Sequence, residues 1–105
     1  MSFHQEKKLA QLVELAAKFF AREASNMSLM TVTSARLSDD EQKATICFTV
    51  LPESQEEPAL EFAKRKRSDF REFVKKESRI GKIPYFDFAI DIGEKNRQLI
   101  DKFTN

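Results

Sequence analysis

The chain has 105 residues, 41% of them hydrophobic and 33% charged, with ten Phe and only two Gly. That composition suits one compact domain, residues 1–105, with a core to bury, and it excludes a disordered chain. The formal charge of +1 hides a polarised molecule: nine of the 18 basic residues fall between Lys64 and Lys82 with three acids (Asp69, Glu72, Glu77), so that segment is +6 and the remainder −5.

Ser2 and Gln5 form a candidate capping box, and Leu9, Leu12, Val13, Ala16, Phe19 and Phe20 recur at helical spacing up to about Ala24. The first element is therefore a long amphipathic helix. Beyond Ser25 and Asn26, the stretch Ser28 to Leu37 is rich in Thr, Val and Leu. Lys43 to Val50 alternates Ala44, Ile46, Phe48 and Val50 with Thr45, Cys47 and Thr49. These predict two strands joined as a hairpin through Ser38 to Gln42. The buried face of the first strand stays open, because Thr31, Val32, Thr33 and Ala35 do not alternate cleanly.

Pro52 stops the second strand. Ser54 with Glu57, or Pro58 as a first helical residue, begins the next helix, and Glu53, Glu56, Glu57 and Glu61 favour the positive end of its dipole. The basic segment continues as helix until Gly81. At about 100° per residue, Lys64, Arg67, Arg71, Lys75, Arg79 and Lys82 project within an arc of roughly 120°. Ala59, Phe62, Ala63, Phe70, Phe73, Val74 and Ile80 fall on the opposite side, which makes the segment amphipathic with one cationic face. Lys66 alone points into the apolar arc, where an unpaired ammonium is costly to bury. A break between Lys66 and Asp69 resolves the conflict, so the segment reads as two consecutive helices with cations concentrated at their junction and the Lys66 ammonium in solvent. Pro84 enforces an extended backbone. Phe86, Phe88 and Ile90 then alternate with Tyr85, Asp87, Ala89 and Asp91 as a third strand, and Glu94 to Phe103 makes a short final helix with Leu99, Ile100 and Phe103 on one side. Phe48 and Phe88 are the expected inward residues of their strands.

Catalytic and cofactor chemistry finds no foothold in this pattern. There is no Gly-rich phosphate loop, no Cys and His cluster for zinc, and one histidine, His4, which reads as an exposed surface residue. Asp39 and Asp40 read as turn residues. Cys47, the lone cysteine, excludes an intramolecular disulfide, fits a reducing compartment and reads as a buried structural thiol. No apolar run is long enough to cross a bilayer and MSFHQEKK lacks the apolar stretch of a signal peptide, so the expectation is a cytoplasmic protein with no membrane partner, no cofactor and no enzymatic activity. A coherent cationic face attracts a polyanion through phosphate neutralisation and counterion release, which points to RNA or DNA. The competing reading is a solvated face.

The order helix, strand, strand, helix, helix, strand is that of the type II KH domain, an α+β fold. Leu29 to Leu51 (LMTVTSARLSDDEQKATICFTVL) resembles the hairpin of the bacterial ribosome-binding factor A family, in which a TVT-x-V-x-LS run is followed by an acidic turn and an A-x-V-x-V-like strand. Thr31, Val32, Thr33, Leu37, Ser38 and Ala44 fit it, with Ala35 in place of the usual valine. The family's last strand carries P-x-L-x-F-x-x-D, which Pro84, Phe86, Phe88 and Asp91 reproduce with one hydrophobic exchange. The first helix, the acidic start of the second and the closing QLIDKF also agree.

The resemblance implies a non-enzymatic ribosome assembly factor that binds the small (30S) subunit and its 16S rRNA during late maturation and rRNA processing, a monomer off the ribosome. It implies one three-stranded sheet with helices on one face and no GxxG loop. An interhelical kink, often Ala-x-Gly in the family, falls here at Lys66, Arg67 and Ser68, with Arg71 at the place of a familiar arginine. Candidate RNA contacts are therefore Lys64, Arg65, Lys66, Arg67, Ser68, Arg71, Lys75, Lys76, Arg79 and Lys82, acting through phosphate and shape rather than base readout. The alternatives are a protein-interaction module whose basic helix docks an acidic partner, or a small KH-like RNA binder unconnected to the ribosome.

Overall fold

The computed structural model describes residues 3–24 and 28–104, with side chains described for 5–24 and 28–100. Ser2, and with it the candidate capping box, lies outside the described residues, as does the side chain of His4. The elements are α1 (Phe3–Glu23), β1 (Leu29–Leu37), β2 (Lys43–Leu51), a 3-10 turn (Glu53–Gln55), α2 (Glu56–Arg65), α3 (Arg67–Glu77), β3 (Tyr85–Ile90) and α4 (Ile92–Thr104). This is the expected α-β-β-α-α-β order with a helix added after it. The sheet order is β1-β2-β3, with β2 antiparallel to β1 and parallel to β3.

Amphipathic patterning places the core. Leu9, Leu12, Leu15, Ala16, Phe19 and Phe20 of α1 are buried against Ala44, Ile46, Phe48 and Val50 of β2 and Phe86 and Phe88 of β3. Ala59 and Ala63 of α2 and Phe70 and Val74 of α3 close the same cluster. Phe48 is 0% and Phe88 1% exposed, as their strand positions require. Phe70 is the hub, its ring centroid 4.7 Å from Phe86, 5.3 Å from Phe19 and 5.6 Å from Phe88 in tilted and edge-on geometries. Such pairs are worth about 0.5–1.5 kcal/mol beyond burial.

The irregular pattern of β1 has a structural cause. The pairing of β1 with β2 shifts between Val32 and Ser34, a bulge at Thr33. Met30 and Val32 pack on the core before it, Ala35 and Leu37 after it, so the inward phase changes from even to odd positions. The Thr33 hydroxyl is shared between the Cys47 carbonyl (3.2 Å) and the Asp91 carboxylate (2.5 Å). Asp91 in turn accepts from the Glu94 N–H at 3.0 Å, so it caps α4, which starts two residues earlier than expected. The Thr33 hydroxyl bond, followed by the Glu94 N–H bond, holds the Asp91 carboxyl below its ordinary value of 3.8. Two motifs that resembled one family separately in sequence, TVT and the terminal Asp, are thus bonded to each other.

Two further boundaries differ from expectation. Ser54 caps nothing; it falls in the 3-10 turn, and α2 begins after Gln55 without a side-chain cap. The helix α3 stops at Glu77 rather than Gly81, because Ser78 turns extended (φ −137, ψ 168) while its hydroxyl donates to the Val74 carbonyl at 2.7 Å. Arg79 and Lys82 therefore leave the helix and belong to the connection into β3, from which Ile80 still packs on the core. Finally, α4 leaves Ile100 exposed and Leu99 partly so, and is anchored through Lys95 to Glu53 (2.9 Å) and Glu56 (3.1 Å).

Candidate nucleic-acid interface

The junction between α2 and α3 is one residue wide. Lys66, at φ −94 and ψ 10, donates its N–H to both Phe62 (3.2 Å) and Ala63 (3.0 Å) carbonyls, and helical bonding resumes from Phe70 N–H to Lys66 carbonyl at 2.8 Å. The break lets the Lys66 side chain leave the apolar arc: it is 35% exposed, with its ammonium 3.6 Å from Asp69 and 5.9 Å from the Phe62 ring centroid. The ammonium is thus at the surface beside a carboxylate rather than free in solvent.

Next to the junction, three cations converge on one carboxylate. Lys64 at the end of α2 (3.2 Å), Arg67 at the start of α3 (3.4 Å) and Lys43 at the start of β2 (3.7 Å) all reach Asp87 of β3. Arg67 also donates Nε–H to the Lys64 carbonyl at 2.9 Å, tying the two helices. Partial burial pushes the Asp87 carboxyl up, but the Phe88 N–H bond, the Lys64 bond and the Lys64 and Lys43 charges outweigh it, leaving the pKa below 3.8. One acid against three bases leaves the cluster cationic.

Arg71, the next turn along, is half-buried and engaged. Its guanidinium donates to the carbonyls of Ile83 (2.9 Å) and Pro84 (3.2 Å) and lies 4.7 Å from the centroid of the Tyr85 ring. The planar fork of arginine suits two adjacent carbonyls, and its face suits an aromatic ring. Arg71 therefore pins the connection before β3 to α3.

The chain matches no family model and no curated protein. Solved structures do match. The crystal structure of ribosome-binding factor A from Thermus thermophilus aligns with a TM-score of 0.66 and 28% identity, over 78% of this chain and 90% of that one. The solution structure of a Thermotoga maritima protein, designated a candidate ribosome binding factor A, aligns with a TM-score of 0.66 and 21% identity over 80% and 83%. The fold is that of ribosome-binding factor A.

On this ribosome-binding factor A fold, the predicted site residues divide. Lys64, Arg67 and Arg71 are brought together beside β3, with Ser68 exposed in the first turn of α3 between them. Lys75 meets Glu72 at 3.3 Å on the helix surface, while Arg65, Lys76 and Arg79 are exposed and make no ion pair among the described residues. Arg79 and Lys82 sit across from α1, lining a shallow groove of about 590 Å³ with Lys7, Lys8, Asp40 and Glu41. Lys8 donates to the Lys82 carbonyl there at 3.2 Å.

Sequence reasoning missed Lys43, Lys8 and Asp87. Lys43 and Asp87 share the face of the sheet away from the core, two residues apart in register, since Lys43 pairs with Tyr85. A parallel pairing of the second and third strands would have exposed that neighbourhood. In the hairpin turn, Asp40 accepts from the Ser38 hydroxyl (2.7 Å) and the Gln42 N–H (3.1 Å), which lower its pKa in that order. Cys47 is buried in the sheet.

Proposed function

We propose that this protein is a ribosome assembly factor that binds the small (30S) ribosomal subunit and contacts its 16S rRNA during late maturation and rRNA processing. In this reading the chain is one RNA-binding domain, monomeric off the ribosome, acting in the cytoplasm without catalysis or cofactor. The observation that carries it is the likeness, over 78% of the chain, to a protein named for binding the ribosome. The charge distribution supports it. A +6 segment in a chain of total charge +1 gives a local cationic field, and its exposed cations can replace counterions along an RNA backbone. Contacts fall to Arg65, Lys75, Lys76, Arg79 and Lys82, and to the outward faces of Lys43, Lys64, Lys66 and Arg67, while Ser68 offers a hydroxyl between them. Arg71 serves chiefly to hold the surface in shape.

Sedimentation of cell extract through a sucrose gradient tests this directly. The protein should travel with small subunits at low salt and be released by nuclease digestion or by raised salt. Migration at the top of the gradient at low salt would refute the proposal, and association that survives removal of the RNA would favour docking to an acidic protein.

A further inference from the structure

Resting on that reading, and deepening it from phosphate contact to base contact, we infer that Tyr85 is a stacking platform for an unpaired RNA base. Six of the ten phenylalanine rings interlock within the buried core and a seventh, Phe73, packs against it half-buried, so they are committed to the interior. Tyr85 is the opposite case. It is 70% exposed, although it begins a strand whose next residue, Phe86, is buried. Arg71 covers the ring at 4.7 Å, and that guanidinium is itself fixed by the Ile83 and Pro84 carbonyls. An aromatic ring backed by a held cation and otherwise open to water has its orientation set before any ligand arrives.

Its surroundings match a single-stranded backbone. Tyr85 and Arg71 form the ridge between two shallow hollows, one of about 370 Å³ reaching Arg67 and Ser68, the other of about 500 Å³ reaching Lys75 and Lys82. Lys43 pairs with Tyr85 across the sheet. A strand laid along this ridge meets cations on both sides of the ring, the combination of charge and exposed aromatic surface that holds unpaired nucleotides. A duplex keeps its bases stacked inside and cannot use it.

Tyr85 is the only tyrosine and the chain has no tryptophan, so its intrinsic fluorescence reports this ring alone. Titration with single-stranded oligouridine, followed both by tyrosine emission and by anisotropy of the labelled RNA, should show quenching that tracks binding. An abasic oligomer of equal length should bind more weakly and leave emission unchanged. Tyr85→Ala should weaken oligouridine binding about ten- to a hundredfold, the range of base–aromatic stacking, with Tyr85→Phe close to wild type. Tyr85→Leu, which keeps an apolar cover over Arg71, should fail as Tyr85→Ala does if stacking is the cause, and a thermal melt of each variant shows that folding is intact. RNA binding with unchanged emission and an unaffected Tyr85→Leu variant would overturn the platform and leave the proposed function standing. Absence of RNA and small-subunit binding by the wild type would overturn both.

Discussion

The two halves of the basic segment differ in what their cations face. From Lys64 to Arg71, all but Arg65 meet a fixed acceptor: Lys64 and Arg67 at Asp87, Lys66 at Asp69, and Arg71 at two backbone carbonyls. From Lys75 to Lys82, Lys75 touches Glu72 on the exposed helix surface, Lys82 lies within electrostatic reach of Asp40, and Lys76 and Arg79 have no ion pair among the described residues. Similar charge density in sequence thus serves different ends. The first half ties α2, α3, β2 and β3 together and keeps a charge surplus in a set geometry. The second half adds field with little structural commitment.

The largest expected effect is at Arg71. Arg71→Ala removes two charge-assisted hydrogen bonds and the cover of Tyr85, and bonds to charged groups contribute about 1.5–3 kcal/mol each. Because the site is only half-buried, a loss of about 2–3 kcal/mol is expected, with the connection 78–84 loosened. Arg71→Lys should restore little, since an ammonium cannot span both carbonyls and the ring. Urea denaturation compares these with Lys76→Ala. Equal losses at Arg71 and Lys76 would erase the distinction between the halves.

A smaller and pH-dependent effect belongs to Asp87. Asp87→Asn leaves Lys43, Lys64 and Arg67 as unscreened neighbours and should cost about 1 kcal/mol at neutral pH, the upper range for partly exposed pairs. Because the folded pKa lies below the unfolded value near 3.8, this stability is fully present above that value and is lost as pH falls through the folded one. The gap between wild type and Asp87→Asn should therefore hold from neutral pH down to about 4 and close below it. Melts across a pH series check it: a gap unchanged at the acid end would remove the Asp87 carboxylate as its source.

Legibility followed the range of the interactions involved. The first helix, the hairpin, the third strand and the break at Lys66 were readable because each rests on neighbours within a turn or a strand. An ammonium forced into an apolar arc is a local contradiction, and a break within a residue or two resolves it. The bulge at Thr33 was not readable, because the hydrogen bond that its hydroxyl makes there goes to Asp91, 58 positions away. The Asp87 cluster likewise needs the parallel register of β2 and β3 before Lys43 can be placed beside it. The end of α3 is a different case. Ser78 carried the signal in its own hydroxyl, but the continuing run of Arg79 and Ile80 at helical spacing masked it. That masking put Arg79 on a helical stripe with Arg71, and so equated a half-buried clamp with an exposed surface cation.

The corrected grouping gives the smallest change in stability and the clearest separation of the two halves. Lys75, Lys76 and Arg79 are exposed, and their ammonium and guanidinium groups hold no buried partner among the described residues. Replacing all three with Gln should cost about 0.5 kcal/mol, mostly from Lys75 and Lys76 leaving the negative end of the α3 dipole. Binding answers differently. Each phosphate contact on single-stranded RNA contributes roughly −0.7 to the slope of log K against log salt, so three lost contacts should flatten the slope by about 2. Affinity for purified small subunits at low salt should fall with it. If the exposed half were a solvated face, the triple variant would keep both the affinity and the slope of the wild type, and the RNA contacts would then lie wholly in the anchored half around Asp87 and Tyr85.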